Sequence, residues 1–293
     1  MTICIAAIAN KAVIGASDRL VTAGDVQFQP RTPKIKALTN SIVAMTAGDA
    51  WLQSEILTGV VADVQAAVGA DPHKWLTVRS IADQYCDRWA EVKRHRAEHA
   101  ILKPLGLTTE QFLAEQSSMD PKSVEELSNG LINFALPETA CLVTGIDSTG
   151  PHIFAIYDGV PMQTDSVGFA AIGIGGRHAE SQLMLAQYAP DMPVAAAMTL
   201  VHLAKSRAEV APGVGPDTDM FVIGPELGTY APVPEPVMTY LREQVAKVRT
   251  EEARMLGEAQ AGMETFLANL GKQAPVKQEA EPTCTEGGAF GYP

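Results

Sequence analysis

The second residue of this sequence is a threonine that could act as a nucleophile. Thr2 has a small side chain, which would normally allow Met1 to be removed and leave Thr2 with a free α-amino group. A hydroxyl needs a nearby base at neutral pH, and an α-amine with a pKa of about 7.7–8.0 can supply one after modest tuning. One residue would then hold both nucleophile and base. A threonine near the start of a strand is also common, so Thr2 alone does not assign a function.

Three further residues could support such chemistry. Asp18 follows a predicted strand, Lys34 begins a Lys-Ile-Lys segment, and Gly48 lies where a predicted strand gives way to a predicted helix. Taken singly, they are typical of a turn aspartate, a surface lysine and a turn glycine. Their value lies in their order and spacing relative to Thr2.

That order and spacing resemble the proteasome β-subunit family, of the bacterial proteasome type. Between Thr2 and Ile223, further segments resemble the family in the family's order: VIGASDRLVTAG, KIKALTNSIVAMTAGDA, CLVTGID, GPHIFAIYDG and GFAAIGIGG. The resemblance implies an N-terminal nucleophile (Ntn) hydrolase, a threonine peptidase that cuts peptide bonds through an acyl-enzyme on Thr2. It also implies a homo-oligomeric ring of six or seven subunits, a peptide or unfolded protein as substrate, an ATP-dependent unfoldase as a possible partner, and no cofactor.

The resemblance also assigns roles to residues of the site. Thr2 would attack, Asp18 and Lys34 would tune the protons around it, and the Gly48 N–H would contribute to an oxyanion site. Elementary chemistry agrees with these roles. An ammonium near Thr2 would lower the pKa of its α-amine by like-charge repulsion, and a carboxylate would hold that ammonium. A free N–H at the start of a helix stabilises negative charge that develops on a carbonyl oxygen.

The substrate pocket implied by the resemblance is neutral. Its positions carry over to Val21, Thr46 and Ala50, none of which has a charge. We therefore expect a preference for small uncharged side chains before the cleaved bond. Lys36 lines the pocket in some relatives, and an ammonium there would instead attract acidic side chains.

The sequence departs from the family pattern at three positions. Ile174 replaces a serine between two glycines, and Ala211 and Val214 replace an aspartate and a serine before the last strand. Asp217 and Asp219 are nearby candidates to replace the lost polar groups. The departures keep a second hypothesis open, in which the chain forms a catalytically weak ring that acts as a scaffold or binding chamber.

A third hypothesis is a zinc metallopeptidase. His95-Arg96-Ala97-Glu98-His99 has the HxxEH spelling, which places two histidines on one helix face with Glu98 as general base. The surroundings are basic, and the sequence offers no persuasive third ligand. We therefore expect no bound metal.

The elements that must position these residues are separate runs of strands and helices. Strands are predicted at 2–9, 12–17, 41–47, 140–145, 151–157, 167–174 and 218–223. Helices are predicted at about 52–68, 75–100, 108–116, 177–188, 193–209 and beyond 236. Such runs favour antiparallel sheets covered by helices. The prediction is an α+β fold, a four-layer αββα sandwich of two antiparallel sheets flanked by helices.

We divide the chain into three regions. Residues 1–235 are predicted to form the Ntn-hydrolase domain, with an enlarged helical region at 49–138. Residues 236–271 are predicted to be a helical extension that could pack on a neighbouring subunit, and residues 272–293 a disordered tail. The apolar stripe of the extension consists of Leu241, Val245, Val248, Met255, Met263, Phe266 and Leu270.

Composition restricts the class of protein and its partners. The 293 residues are 46% hydrophobic and 19% charged, as in a packed globular protein. Lys and Arg number 22 against 34 Asp and Glu, a net charge of −12 that argues against nucleic-acid binding. The four cysteines form no CxxC pair and are expected to be reduced. Without a span of about 20 apolar residues or a signal sequence, we expect a cytoplasmic protein and no membrane insertion.

Overall fold

The computed structural model describes residues 2–23, 26–28, 34–71 and 75–272. Within these residues the chain is α+β, with two antiparallel five-stranded sheets and seven α-helices. Met1 and residues 273–293 of the predicted tail lie outside the described residues. Lys272, predicted as the first residue of the tail, instead ends a helix.

The first sheet brings the N-terminal hairpin next to a late strand. Its strands are β1 (Cys4–Ala9), β2 (Ala12–Asp18), β10 (Phe169–Ile172), β11 (Thr218–Ile223) and β12 (Ala231–Pro232), in the order β10-β1-β2-β11-β12. Asn10 and Lys11 connect β1 to β2 with φ values of 44° and 67°. Positive φ at both turn residues matches the twist of a tight hairpin. Cys4 then pairs with Ser17, which places the start of β1 beside the end of β2.

The second sheet is a meander of consecutive strands. It contains β5 (Ile35–Ala37), β6 (Ile42–Gly48), β7 (Thr139–Asp147), β8 (Gly150–Tyr157) and β9 (Val160–Gln163), in chain order. A separate ribbon is formed by β3 (Val21–Ala23) and β4 (Val26–Phe28). The seven predicted strands correspond to β1, β2, β6, β7, β8, β10 and β11, whereas β3, β4, β5, β9 and β12 were not predicted.

The helices follow the predicted order with two differences. They are α1 (Ala50–Ala70), α2 (Val78–Ala97), α3 (Thr109–Glu115), α4 (Pro121–Ile132), α5 (Gly176–Leu185), α6 (Val194–Ala208) and α7 (Glu235–Lys272). The helix predicted at 75–100 ends at Ala97 and continues as a π-helical turn over Glu98–Leu102. Helix α4 was not predicted; Asp120 caps it and Pro121 occupies its first turn, both typical of a helix start.

Three apolar clusters hold the layers together. One lies between the sheets and joins Cys4, Ala6 and Ile8 to residues such as Met45 and Leu142. Another packs α5 and α6 on the first sheet, and the third packs α1 and α2 on the second sheet. This arrangement of helices outside two facing sheets is compatible with the predicted αββα sandwich.

The chain divides into two compact units, Met1–Val245 and Ala246–Pro293. Helix α7 begins in the first unit, where Met238, Leu241 and Val245 are buried. In the second unit its large apolar side chains are exposed, among them Met255 and Phe266. Across the described part of the chain, no helix has the length and apolarity that crossing a bilayer requires.

Candidate active site

Three of the residues predicted from the sequence, Thr2, Asp18 and Lys34, meet at one end of the two sheets. Thr2 precedes β1 and Asp18 ends β2, so the pairing of these neighbouring strands brings the two side chains together. Lys34 precedes β5, the edge strand of the second sheet. The cluster therefore draws its hydroxyl and carboxylate from one sheet and its ammonium from the other.

The Thr2 hydroxyl lies between the carboxylate and the ammonium. Thr2 Oγ1 donates to Asp18 Oδ1 at 2.5 Å and accepts a hydrogen bond from Lys34 Nζ. Lys34 Nζ also donates to Asp18 Oδ1 and to the Leu20 carbonyl, at 2.6 Å each. The ammonium is thus held by three oxygens, one of which is the candidate nucleophile.

The cluster is almost fully withdrawn from water. Thr2 is 3% exposed, and the side chains of Asp18 and Lys34 are 0% and 10% exposed. Burial raises the pKa of Asp18, but the charge of Lys34 and hydrogen bonds from Lys34, Thr2 and the Ile3 N–H outweigh it, so the pKa lies below the ordinary 3.8. Asp18 is therefore ionised at neutral pH.

Backbone N–H groups fix the orientation of the Asp18 carboxylate. Its Oδ1 accepts from Ile3 N at 3.0 Å, while Oδ2 accepts from Leu20 N at 3.2 Å and Gly215 N at 3.0 Å. A buried carboxylate is stable only when such donors replace its lost water. Gly215 comes from the loop before β11, so a third part of the chain contributes to the site.

The loop after β10 packs on the Thr2 carbonyl. Gly173 has a φ of +87°, and a Cβ there would lie 2.3 Å from the Thr2 carbonyl oxygen. Gly175 N donates to the same oxygen at 3.4 Å. Only glycine fits the position of Gly173, since both its backbone angle and this close approach exclude a side chain. Ile174, which replaces the family serine, is 48% exposed.

Gly48 ends β6 at the wall of the site. Its φ is +101°, and a Cβ there would lie 2.2 Å from the Glu138 carbonyl oxygen, so any other residue would require the backbone to move. Asp49 then caps α1 by accepting from Leu52 N at 2.8 Å. The predicted transition from strand to helix at Gly48 is therefore present. The oxyanion role of its N–H stays a prediction.

A small cavity of about 70 Å³ opens beside the Thr2 hydroxyl. The residues predicted to line the substrate pocket, Val21, Thr46 and Ala50, all line this cavity. The complete lining among the described residues is Thr2, Leu20, Val21, Lys34, Thr46, Ala47, Gly48, Ala50 and Gln53. In this set Lys34 is the one ionised side chain. Lys36 is exposed and does not belong to it.

Gln53 was not predicted as a site residue. Its Nε2 donates to the carbonyls of Ala47 and Ala140 at 2.9 and 3.0 Å, and its Oε1 accepts from the Tyr85 hydroxyl at 2.7 Å. Both amide protons are thus engaged in the protein. A signal was present in the sequence, because Gln53 is a polar residue beside Leu52 on the apolar face of the predicted helix.

The other departures from the family pattern contribute no polar group to the site. Ala211 and Val214 are buried in the apolar cluster under α6. Asp219, a candidate replacement, accepts hydrogen bonds from Arg19 at 2.5 and 2.9 Å, and Asp217 is exposed. From this loop Asp18 therefore accepts the backbone N–H of Gly215, and neither aspartate replaces the lost polar groups at the site.

The two histidines of the HxxEH segment lie on one helix face, as their spacing predicts, but the α-helix does not continue through the segment. The rings of His95 and His99 pack with their centroids 4.4 Å apart, and the π-helical turn begins between them. Glu98 Oε2 accepts from the Thr109 hydroxyl and N–H at 2.7 and 3.2 Å. Among residues 2–272 as far as they are described, no three His, Cys, Asp or Glu side chains cluster in a way that could hold a metal ion.

No protein-family model matches this sequence, and a search of the curated proteins finds no match. The functional conclusion therefore depends on the chemistry of the site.

Proposed function

We propose that this protein is a threonine peptidase of the Ntn-hydrolase class, with a proteasome-like αββα fold and Thr2 as its nucleophile. The observation that carries the proposal is the contact of the Thr2 hydroxyl with both Asp18 Oδ1 and Lys34 Nζ. A threonine with an ordinary structural role does not need a buried ion pair at its hydroxyl. The cavity next to Thr2 supplies room for a substrate side chain, and Lys34 is the one charged side chain in its described lining.

The proposed reaction begins with formation of an acyl-enzyme. After removal of Met1, the neutral α-amine of Thr2 takes the proton from Oγ1 as the oxygen attacks the carbonyl carbon of the peptide bond. The C–N bond of the tetrahedral intermediate then breaks, and the ammonium returns the proton to the leaving amine. Lys34 favours the neutral form of the α-amine by like-charge repulsion, and Asp18 holds Lys34 in place.

The second half of the reaction hydrolyses the ester on Thr2. The α-amine takes a proton from water as the water oxygen attacks the ester carbonyl, and the proton passes to Oγ1 when the C–O bond breaks. The products are a carboxylic acid and the free enzyme. In both halves the Gly48 N–H is the proposed donor to the oxyanion, a contribution worth about 3–4 kcal/mol when such a donor is removed from other hydrolases.

The proposed biological setting follows from the same resemblance. The substrate class is an unfolded protein or peptide, the working form is a homo-oligomeric ring of six or seven cytoplasmic subunits, and an ATP-dependent unfoldase is the proposed partner. An extended chain would place one small side chain in the cavity lined by Thr46 and Ala50.

The decisive experiment measures the N-terminus and its reactivity together. Mass spectrometry of the native protein should show loss of Met1, and treatment with a β-lactone acylating agent should add one acyl group at Thr2. Thr2→Ala should abolish both labelling and peptide hydrolysis, because it removes the nucleophile at small cost in packing. Thr2→Ser, which keeps the hydroxyl, should retain labelling. Retention of Met1, or full activity in Thr2→Ala, would contradict the threonine mechanism.

A second candidate function is a ring that binds or encloses other proteins without efficient catalysis. It is favoured by the apolar burial of Ala211 and Val214, where the family has polar groups. The same experiment separates the two candidates: a weakly catalytic ring would assemble, lose Met1, and show neither peptide turnover nor acylation of Thr2.

A further inference from the structure

Lys205 is a buried cation that the proposed reaction does not use. It lies on α6, on the face that also carries the buried residues Val201, Ala204 and Ala208, and its side chain is 0% exposed. Lysine is rarely buried completely unless its ammonium is paired. A signal was present in the sequence, since this lysine interrupts the apolar face of the helix predicted at 193–209.

The Lys205 ammonium has three oxygen partners. Nζ donates to Glu209 Oε1 at 3.0 Å and to the carbonyls of Gly215 and Pro216 at 2.7 Å each. An ammonium has three protons to donate, so these contacts use all of them. Two of the three partners belong to the loop that precedes β11.

The same loop forms a hydrogen bond with Asp18 in the candidate active site. Gly215 donates its N–H to Asp18 Oδ2 at 3.0 Å, and its carbonyl accepts from Lys205 Nζ. Gly215 therefore links Lys205 to the Asp18 carboxylate. Asp18 lies between two lysines: Lys34 contacts its Oδ1 directly, and Lys205 acts on the Oδ2 side through Gly215.

Three carboxylates near Lys205 favour its charged form. Burial lowers the pKa of Lys205, while Glu209 on α6, Asp18 on β2 and Asp217 before β11 act in the opposite direction. Glu209 and the two carbonyls stabilise the charged form through direct hydrogen bonds. A role in packing alone would not require a cation, because a methionine would fill the same volume at a lower desolvation cost.

We propose that Lys205 is a positioning residue for the site of Thr2, Asp18 and Lys34. It fixes the loop at 215–216 so that the Gly215 N–H binds Asp18, and its charge favours the ionised carboxylate and disfavours protonation of the amines at the site. This inference rests on the proposed function.

The test compares three substitutions that separate the charge from the hydrogen bonds. Lys205→Met removes both, Lys205→Gln keeps donors without charge, and Lys205→Arg keeps the charge. The readout is the rate constant for acylation of Thr2 by a β-lactone as a function of pH, followed by intact mass on the full chain. Lys122→Met, on the exposed surface of α4, is the control for loss of a lysine charge.

We expect the pH midpoint of acylation to move to higher pH by roughly half a unit in Lys205→Met and Lys205→Gln, because loss of a nearby positive charge makes the amines easier to protonate. The rate constant at neutral pH should fall about tenfold in Lys205→Met, where Gly215 is also released. Lys205→Arg and Lys122→Met should keep the wild-type midpoint. A lower rate with an unchanged midpoint in both uncharged variants would show that Lys205 has only a structural role, and would overturn the inference.

A measurement that does not need activity distinguishes this inference from the proposed function. Amide hydrogen exchange at Gly215 should be about tenfold faster in Lys205→Met than in the wild type, while exchange in β1 stays unchanged. If the wild type is not acylated at Thr2, the proposed function fails. If amide exchange at Gly215 is unchanged in Lys205→Met, Lys205 does not position Gly215, whether or not Thr2 is acylated. Should Lys205→Met not fold, Lys205→Gln carries both measurements.

Discussion

Asp18 is a carboxylate without contact with water, and its partners explain why it is tolerated. Removing a charge from water costs far more than a hydrogen bond returns unless a counter-ion and several donors surround it. Lys34 provides the counter-ion, and the N–H groups of Ile3, Leu20 and Gly215 provide the donors. This much desolvated charge around one hydroxyl is typical of a site built for chemistry.

The first prediction concerns Lys34. Lys34→Ala should reduce acylation of Thr2 roughly 10²–10⁴-fold, because the hydroxyl loses its donor and the α-amine loses the charge that keeps it neutral. The pH midpoint of acylation should also move to higher pH, because the α-amine becomes easier to protonate. Lys36→Ala is the matched control, since Lys36 lies two residues away, is exposed and does not line the cavity. An unchanged pH–rate profile in Lys34→Ala would remove Lys34 from the mechanism.

The second prediction concerns substrate preference. A cavity of about 70 Å³ lined by Val21, Thr46 and Ala50 fits a small apolar side chain best. The amide protons of Gln53 are already bound and Lys34 repels a second cation, so a basic side chain would lose its water without gaining a partner, at a cost of several kcal/mol. We expect small apolar residues before the cleaved bond to be preferred, with acidic residues second because Lys34 lines the cavity.

A panel of fluorogenic peptides that differ only at that residue tests the preference. Ala50→Leu should narrow the range to glycine and alanine, because it fills the cavity, while Lys36→Ala should leave the preference unchanged. Fastest cleavage after arginine or lysine would show that the pocket assignment is wrong.

The strands that build the site were predictable from sequence because their apolar runs are long and end in strong turn signals. The hairpin of β1 and β2 is an example: Asn10 and Lys11 separate two buried runs, and their pairing places Thr2 next to Asp18. Strand β5, which directly follows Lys34, is only three residues long and has one buried residue, Ile35. Three residues are too few to show a hydrophobic periodicity, so the sequence does not predict this strand. Its pairing with β6 depends on the second sheet as a whole.

Other parts of the site depend on contacts between residues far apart in the chain. The closeness of Gly215 to Asp18 follows from the pairing of β11 with β2, and no local pattern encodes it. The order of Thr2, Asp18, Lys34 and Gly48 did allow their meeting to be predicted, through the resemblance to a known family. For Gln53 and Lys205 the sequence shows only that a polar residue lies on an apolar helix face. It does not predict which groups these side chains bind.

The third prediction concerns the turn between β7 and β8. Asp147 ties this turn to α2: Oδ2 accepts from Val78 N at 2.9 Å, and Oδ1 accepts from the Thr149 N–H and hydroxyl at 2.9 and 2.6 Å. Burial raises the pKa of Asp147, but the bonds from Thr149 and Val78 and the nearby His152 outweigh it, so the pKa lies below 3.8. The ionised form therefore stabilises the fold above the pKa of the unfolded chain, and this contribution is lost as the pH falls through the lower folded-state pKa.

Asp147→Asn should lower the free energy of unfolding by roughly 1–3 kcal/mol at pH 7. The difference from wild type should shrink as the pH falls below 3.8, because the carboxyl of the unfolded chain takes up a proton before that of the folded protein. Denaturant melts at several pH values measure this. Asp120→Asn is the control, because Asp120 also caps a helix but lies on the surface. A difference that stays constant across the acid range would mean that the charge of Asp147 does not contribute.

At the scale of the whole molecule, the site depends on both sheets being packed face to face. Thr2 and Asp18 are positioned by the first sheet, and Lys34, Thr46 and Gly48 by the second. The apolar cluster between the sheets therefore sets the distance between nucleophile and ammonium. A substitution in that cluster, far from the hydroxyl, would therefore change the contact of Lys34 with Thr2. Precise positioning of this kind is what catalysis by a fixed nucleophile requires.

The fourth prediction concerns assembly through α7. Beyond Val248 this helix carries large apolar side chains that are each more than half exposed: Met255, Leu256, Met263, Phe266, Leu267 and Leu270. Several of them recur three or four residues apart and so share one helix face. Soluble monomers rarely expose an apolar surface of this extent, and the proposed ring supplies a partner in the form of further copies of the chain.

Native mass spectrometry should find a mass six or seven times that of the 31.1 kDa chain, or twice that value if two rings stack. Phe266→Lys should shift the population toward smaller species, because it places a charge in the apolar contact, and it should leave the melting of the first unit unchanged. Thr265→Lys adds the same charge beside it on the same helix and serves as the control, with an expected mass equal to that of wild type. A 31.1 kDa monomer in the wild type would contradict the ring, whereas an intact ring in Phe266→Lys would show that this face of α7 does not hold the subunits together.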